Sequence, residues 1–320
     1  MMNLEKYTKE ARIFENEHHD NCSVCGRSFK DNESTHLGLN EDGQYLYVGD
    51  CCQNEIKELI VSHIFSKREY IIPDKESKLW RFMDIGKFLS LIQTKSLFFA
   101  RSDQFSDPFE GAKGVLSRET EWQGFYTGFI FQAIKQAEVQ LGAPVLTTSE
   151  RLEKAKRLYR DFKTSNENER YSTFINCWHE NEFESEAMWQ LYTSNINEGI
   201  AIQTSYERLY DAIDRNPSIA IGRVNYIDFN SRYSALGSDA FFFKRKSFEH
   251  EKEVRMITNR RNETNSFGIY IPINLGILIE NIYISPTCKQ WFENVIKDVA
   301  LKYDINKPIH RSTLNVTPFF

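Results

Sequence analysis

Apolar residues recur along this chain with two different periods, and each period predicts an element wherever it holds. Phe88, Leu89, Leu91 and Ile92 fall at helical spacing and predict an amphipathic helix from about Ile85 to Thr94. On either side, Lys78-Leu-Trp-Arg-Phe82 and Ser96-Leu-Phe-Phe-Ala100 are short and rich in aromatic and aliphatic residues, as strands are. Two longer helices are expected around 118–140 and 148–164, with a charged loop from Arg160 to Arg170. Short strands then dominate, at 172–178, 198–204, 219–227, 252–258, 267–273 and 278–285, interrupted by helices near 185–194, 205–214 and 288–303. Strands and helices do not alternate regularly, so the fold class is α+β with mixed or antiparallel sheets and helical insertions. The sequence carries no Walker loop, no glycine-rich dinucleotide fingerprint and no internal repeat.

Before residue 78 the pattern changes. Cys22-Ser-Val-Cys25-Gly26 has the spacing with which two thiolates of one tight turn reach a single Zn²⁺, Gly26 relieving the backbone behind them. Val48-Gly-Asp-Cys51-Cys52 follows, and the run after it predicts a helix from Cys52 to about Lys67, capped by Asp50. Cys22, Cys25, Cys51 and Cys52 are therefore the expected ligands of a structural zinc site in a module spanning 1–67. His36 is the substitute if only one of the adjacent cysteines binds. Pro73 and its polar neighbours interrupt the pattern, which places a second domain at 78–320. Cys177 and Cys288 are isolated, with apolar neighbours, and read as core.

Composition narrows the classes. The chain has 320 residues, 24 Phe and 15 Tyr but only 15 Gly and 8 Pro, which describes a globular protein with a sizeable core. A formal net charge of −5 argues against wholesale nonspecific binding to nucleic acid. No apolar run reaches the roughly 18 residues of a membrane span, and Met1-Met-Asn-Leu-Glu-Lys6 lacks a secretion signal, so a cytoplasmic protein is expected.

The stretch Phe248-Glu-His-Glu-Lys-Glu-Val-Arg-Met-Ile257 concentrates the chemistry. Read as one strand, it puts Glu249, Glu251, Glu253 and Arg255 on one face and His250, Lys252, Val254 and Met256 on the other. Aligned carboxylates repel one another unless solvent, a cation or a substrate answers them. An edge strand also carries charge simply to block edge pairing. Asp107-Pro-Phe-Glu110 reads as a turn or as a loop lining the same pocket, and Lys244-Arg-Lys246 as a solvated basic run or a phosphate contact. Trp189 and Tyr192 lie three apart on a short helix, ordinary packing that leaves Tyr192 available for stacking.

Two resemblances add to this reading. Cys22, Cys25, Gly26, Arg27, Gly49 and Cys52 resemble small treble-clef-like zinc modules of bacterial and phage proteins. Leu79-Trp-Arg-Phe82, Phe98 to Gly111, Asn176-Cys-Trp-His179, Met188-Trp-Gln-Leu-Tyr192, Gly199-Ile-Ala-Ile202, Val224-Asn-Tyr226 and Glu251-Lys-Glu-Val-Arg255 run in order over roughly 78–290. They resemble the bacterial domain-of-unknown-function 2971 family, which is related to abortive-infection proteins. That order is similar to the ADP-ribosyltransferase fold. The resemblance implies NAD as substrate, Arg81 gripping it, Glu253 as the catalytic carboxylate and Glu251 as its partner toward the acceptor. It also implies a middle strand from Ser172 to His179, with His179 as a candidate acid or base and Ser172, Tyr171 and Tyr192 as candidate NAD contacts. Here no Ser-Thr-Ser triplet marks that strand. The expected function is an NAD-consuming effector, a toxin or antiphage protein modifying a macromolecule, with an antitoxin or defence-system partner. The alternatives are a Mg²⁺-dependent nuclease built on Glu251 and Glu253 with Asp107 or Glu110, and a non-catalytic sensor of a nucleotide or phage protein.

Overall fold

The computed structural model describes residues 21–30, 33–65, 70–140, 143–193, 198–216, 218–230 and 237–320. Residues 1–20, 31–32 and 66–67 of the expected N-terminal module lie outside the described residues.

Strands β1 (Ser34–Leu39), β2 (Tyr45–Gly49) and β3 (Glu58–Ile64) form an antiparallel sheet in the order β2-β1-β3. It has its own small core, in which Phe29 sits edge-on to Tyr47 at 5.3 Å and against Phe65. The helix expected from Cys52 is absent. Asp50–Glu55 is a short 3-10 turn, and Glu58–Ile64 is a strand because Ile60 turns inward while Leu59 stays exposed, period two rather than 3.6. Asp50 does not cap this turn: the N-cap is Gly49, with no side-chain hydrogen bond.

The remaining chain builds a nine-stranded mixed sheet. Its strands are β4 (Lys78–Asp84), β5 (Ser96–Arg101), β6 (Thr173–Glu180), β7 (Gly199–Ser205), β8 (Ala220–Arg223), β11 (Glu253–Asn259), β12 (Gly268–Pro272), β13 (Asn281–Ile284) and β14 (Ile309–Arg311). Two short strands, β9 (Asn225–Ile227) and β10 (Phe243–Arg245), pair separately in parallel. Helices α1 (Ile85–Thr94), α2 (Glu119–Gln140), α3 (Thr148–Glu169), α4 (Glu186–Thr193), α5 (Tyr206–Ala212), α6 (Leu275–Leu278) and α7 (Gln290–Lys302) complete it. The α+β class is thus as expected. The charged loop expected from Arg160 is instead helix to Glu169. The segment contains no Gly or Pro to break it, and a Thr147/Glu150 capping box starts α3.

Strand β6 is the hub. One edge pairs along its whole length with β11, from Glu253 opposite His179 to Asn259 opposite Thr173. The other edge is shared: β5 pairs at Ala100 and Arg101, and β4 at Leu79 and Trp80. Between these contacts the sheet forks, and side chains replace the missing ladder. The Asn176 amide donates to the Phe98 carbonyl at 2.8 Å, and Arg81 Nη1 donates to the Cys177 carbonyl at 2.8 Å.

Alternation along the paired strands sorts the two faces. Phe174, Trp178, Val254 and Met256 join the main core with α1, α5 and α7. The opposite face carries Trp80 and Phe82 under Met188 and Trp189 of α4, and Ile175 and Ile257 under Phe241 and Phe242. Cys177, His179, Glu253 and Arg255 lie on this second face.

Candidate functional site

The stretch read as one continuous strand divides at Lys252. Residues Lys246–Glu251 form a 3-10 turn, Lys252 takes a left-handed backbone conformation (φ 39°), and β11 starts at Glu253. Glu249 and Glu251 therefore do not line up with Glu253 on one strand face. Only Glu253 and Arg255 share it. His179 holds this turn: its Nδ1–H donates to the Glu251 carbonyl at 2.6 Å, and its Nε2 is buried with no hydrogen-bond partner. Burial lowers the imidazole, Lys252 adding to that and the Glu251 carbonyl opposing it, so the ring is neutral at pH 7.

Five charged side chains form a chain of ion pairs at the start of β11. Arg255 is fully buried. Its Nε donates to Glu253 Oε1 at 2.9 Å and its Nη2 to Glu253 Oε2 at 3.2 Å. The same guanidinium grips both oxygens of Glu110, with Nη2 2.9 Å from Oε2. Lys244 bonds Glu251 and lies 3.3 Å from Glu253. Burial alone would raise the Glu253 carboxyl. Arg255 and Lys244 outweigh it and hold that carboxyl at about 2. Next to this chain, Asp107 pairs with Arg245 at 2.9 Å, so the Asp-Pro-Phe-Glu loop closes over the same sheet face.

Arg81 is placed differently. Its guanidinium lies in the fork beside the Trp178 ring, 5.8 Å from the centroid, and makes one hydrogen bond, to Cys177. It enters no ion pair among the described residues. Burial lowers it, with Cys177 and Tyr192 acting the other way. Tyr192 is 43% exposed overall, but enclosure of its hydroxyl pushes that group up, Cys177, Glu253 and Glu251 adding to the shift and Arg81 opposing it. Burial pushes the Cys177 thiol up, and the Glu253 carboxylate adds to the shift. Cys177, Glu251, Glu253 and Tyr192 thus gather near His179, while Arg81, which alternates with the core residues Leu79 and Met83, enters from the fork. Tyr171 and Ser172 do not join them. They sit at the far end of β6, about seven residues or roughly 23 Å away along the strand. There the Arg101 guanidinium covers Tyr171 and Ser172 bonds Asn259 and Glu169. Sequence reasoning missed Arg255, Glu110 and Lys244 as a braced unit. The one local signal was that Arg255 alternates onto the face of Glu253.

The four cysteines come together as expected: their sulfurs all lie within 4.8 Å of one another. Cys25 and Cys51 sulfurs are 3.7 Å apart, close to the roughly 3.8 Å edge of a tetrahedron with 2.3 Å metal–sulfur bonds. Gly26 adopts φ +70°, as the knuckle turn requires, and Gly49 leaves room for the Arg27–Glu33 pair, where a Cβ would lie 2.5 Å from Glu33. Arg27 also donates to Cys51 Sγ at 3.4 Å, a bond that favours a thiolate. Burial works to raise the Cys22 thiol, but the Cys25 and Val24 backbone and the neighbouring thiols bring it to about 7; burial and the other thiols push Cys52 up to about 12. His36 lies outside this cluster. Its Nε2 contacts Asp50 at 3.0 Å and its Nδ1 contacts Ser62 at 2.8 Å. The donor set is all sulfur and compact, which fits Zn²⁺.

No family model matches the chain, and no curated protein does. Among solved structures it is similar to three complexes of Thermus sp. 2.9 DarT. With the carba-NAD+ complex the TM-score is 0.33 at 8% identity, over 75% of this chain and 97% of that chain. For the NAD+ complex the values are 0.32, 8%, 75% and 96%; for the complex with ADP-ribosylated ssDNA they are 0.33, 8%, 76% and 97%. No described helix is long and apolar enough to cross a membrane.

Proposed function

We propose that this protein is an NAD-consuming, ADP-ribosyltransferase-like effector that modifies a macromolecule, working in the cytoplasm as a toxin or antiphage (abortive-infection) protein under the restraint of a partner. One arrangement supports the reading. An ionised carboxylate, Glu253 on β11, and a guanidinium with no ion pair among the described residues, Arg81 on β4, flank β6 from its two sides, Arg81 bonded to the Cys177 carbonyl and Glu253 opposite His179. Cleavage of NAD breaks the bond between the ribose C1′ and the nicotinamide nitrogen, and the electron pair leaves with nicotinamide. The acceptor then bonds C1′ and gives up a proton. A carboxylate held at about 2 is a poor general base and a permanent anion, suited to stabilising the positive charge that develops on the ribose. Arg81 offers unused donors for the pyrophosphate, Tyr192 a ring for the nicotinamide, and Glu251 a carboxylate toward the acceptor. His179 is too buried to touch substrate and acts by holding the Glu251–Glu253 turn. Tyr171 and Ser172 would serve the far, adenosine end of an extended dinucleotide. In the N-terminal module, a zinc ion on Cys22, Cys25, Cys51 and Cys52 would tie the knuckle to the turn after β2.

The nuclease alternative needs carboxylates that converge on a vacant cation position. Here Glu110, Glu253 and Glu251 are each answered by Arg255 or Lys244, which favours the transferase. The test is nicotinamide release from NAD by purified protein, with cell lysate or RNA as acceptor. Glu253→Gln and Arg81→Met should each lower release by about two orders of magnitude. Unchanged release in both variants, or Mg²⁺-dependent nucleic-acid cleavage without nicotinamide release, would overturn the proposal.

A further inference from the structure

The helical hairpin of α2 and α3, inserted between β5 and β6, has a cavity that the site above does not use. It has a volume of about 490 Å³ and lies between the hairpin and the loop that continues from Glu110. Trp122 and Tyr126 of α2 and Tyr159 and Phe162 of α3 give it four half-buried aromatic rings. The Tyr126 and Tyr159 rings are nearly parallel, 24° apart, with centroids at 6.3 Å. Gly114 lets the loop backbone come down on the Trp122 indole, where a Cβ would lie 3.0 Å from Nε1.

Two of the residues that line this cavity carry a buried polar atom without a partner. Tyr126 Oη and Arg170 Nε are buried without a hydrogen bond. Such groups normally cost stability unless something answers them. Charge points the same way. Lys113, Lys163 and Arg170 face Glu119 and Glu167, and Glu119 is already paired with Lys163. Lys113 lies over the Phe162 ring at 5.2 Å, placing a cation at the edge of the aromatic floor.

We propose that this cavity binds a nucleobase together with its phosphate, the base stacking on Tyr159 and Phe162 and the phosphate meeting Arg170. Flat π-faces accept any base, a guanidinium suits a phosphate oxygen, and the size falls within the range of small-molecule pockets. The ligand's source is either a free nucleotide or one residue of a single strand, which share this chemistry. The proposal does not depend on NAD cleavage, because the experiment reads binding alone.

Calorimetric titration of the full chain with 5′-AMP, adenosine and a twelve-residue single-stranded oligo(dA) tests it. AMP should bind more tightly than adenosine. Tyr159→Ala and Arg170→Gln should each weaken AMP on the order of tenfold, while Tyr159→Phe should leave it unchanged. Binding of the oligomer at least a hundredfold tighter than AMP, with the same variant pattern, assigns the site to a strand; comparable affinities assign it to a free nucleotide. No heat with any probe at millimolar concentration, or binding indifferent to all three variants, overturns the proposal. Unchanged thermal unfolding of the variants separates lost binding from lost fold.

Discussion

Replacing Glu253 by Gln tests the ionic chain at the point where the structure gives it a magnitude. The side chain is 5% exposed, and its carboxyl is held at about 2 against an ordinary 4.5. At about 1.4 kcal/mol per tenfold, that gap corresponds to about 3 kcal/mol of stability at pH 7. The sign follows from the direction. A carboxyl depressed in the folded state contributes fully above its unfolded value and loses the contribution as pH falls through the folded value. The difference between wild type and Glu253→Gln should therefore be about 3 kcal/mol at pH 7, shrink to about 2 at pH 3.5, and vanish below about pH 2. Urea unfolding followed by circular dichroism at matched pH values measures it, and the m-value should stay constant. A difference under about 1 kcal/mol at pH 7, or one that grows on acidification, would show that Arg255 and Lys244 do not hold this carboxylate ionised.

Other perturbations reach the same framework from different sides. Arg255→Met leaves Glu110 and Glu253 buried without their shared cation and should cost about 3–5 kcal/mol in urea unfolding; a loss below 1 kcal/mol would contradict the bidentate pairing. Metal analysis should find one zinc per chain, released by mercuribenzoate, and Cys25→Ser should lower zinc content while His36→Asn, outside the ligand set, leaves it unchanged. Gly38→Ala should destabilise the N-terminal sheet by about 1–3 kcal/mol, because a Cβ there would lie 2.5 Å from the Glu58 carbonyl oxygen; unfolding at the wild-type midpoint would refute that close approach.

Most of the large sheet was legible because its elements announce themselves locally. Phe88, Leu91 and Ile92 recur at helical spacing, Asp84 caps the helix they form, and α1 ends at Thr94 as the periodicity predicts. The same reasoning failed at residues 52–67. Glu55, Ile56, Glu58, Leu59 and Ile60 match a helical pattern and a strand pattern about equally well, and pairing with β1 settled it as a strand. It failed again at Arg160–Glu169, where charge density was taken for a loop. A helix tolerates charge on its exposed face, and the buried Glu138–Arg151 pair ties the two hairpin helices together.

The site was harder to read because its partnerships are not local. The sequence identifies a carboxylate-rich stretch but cannot say which cation answers it: Glu110 is 145 residues from Arg255 in the chain, yet takes both ends of its fork. Arg81, flanked by Trp80 and Phe82, is a second cation that could answer a buried acid. The fork in the sheet decides between them. Arg255 alternates onto the face of Glu253 and occupies both its oxygens, so the guanidinium of Arg81 goes into the gap between β4 and β6 and caps one carbonyl there. A cation that the fold does not need for a carboxylate, kept beside an exposed tyrosine, is costly to bury and is available to an anionic ligand. On the proposed reading, loss of Arg81 should therefore weaken NAD binding far more than it weakens the fold, the reverse of what loss of Arg255 should do.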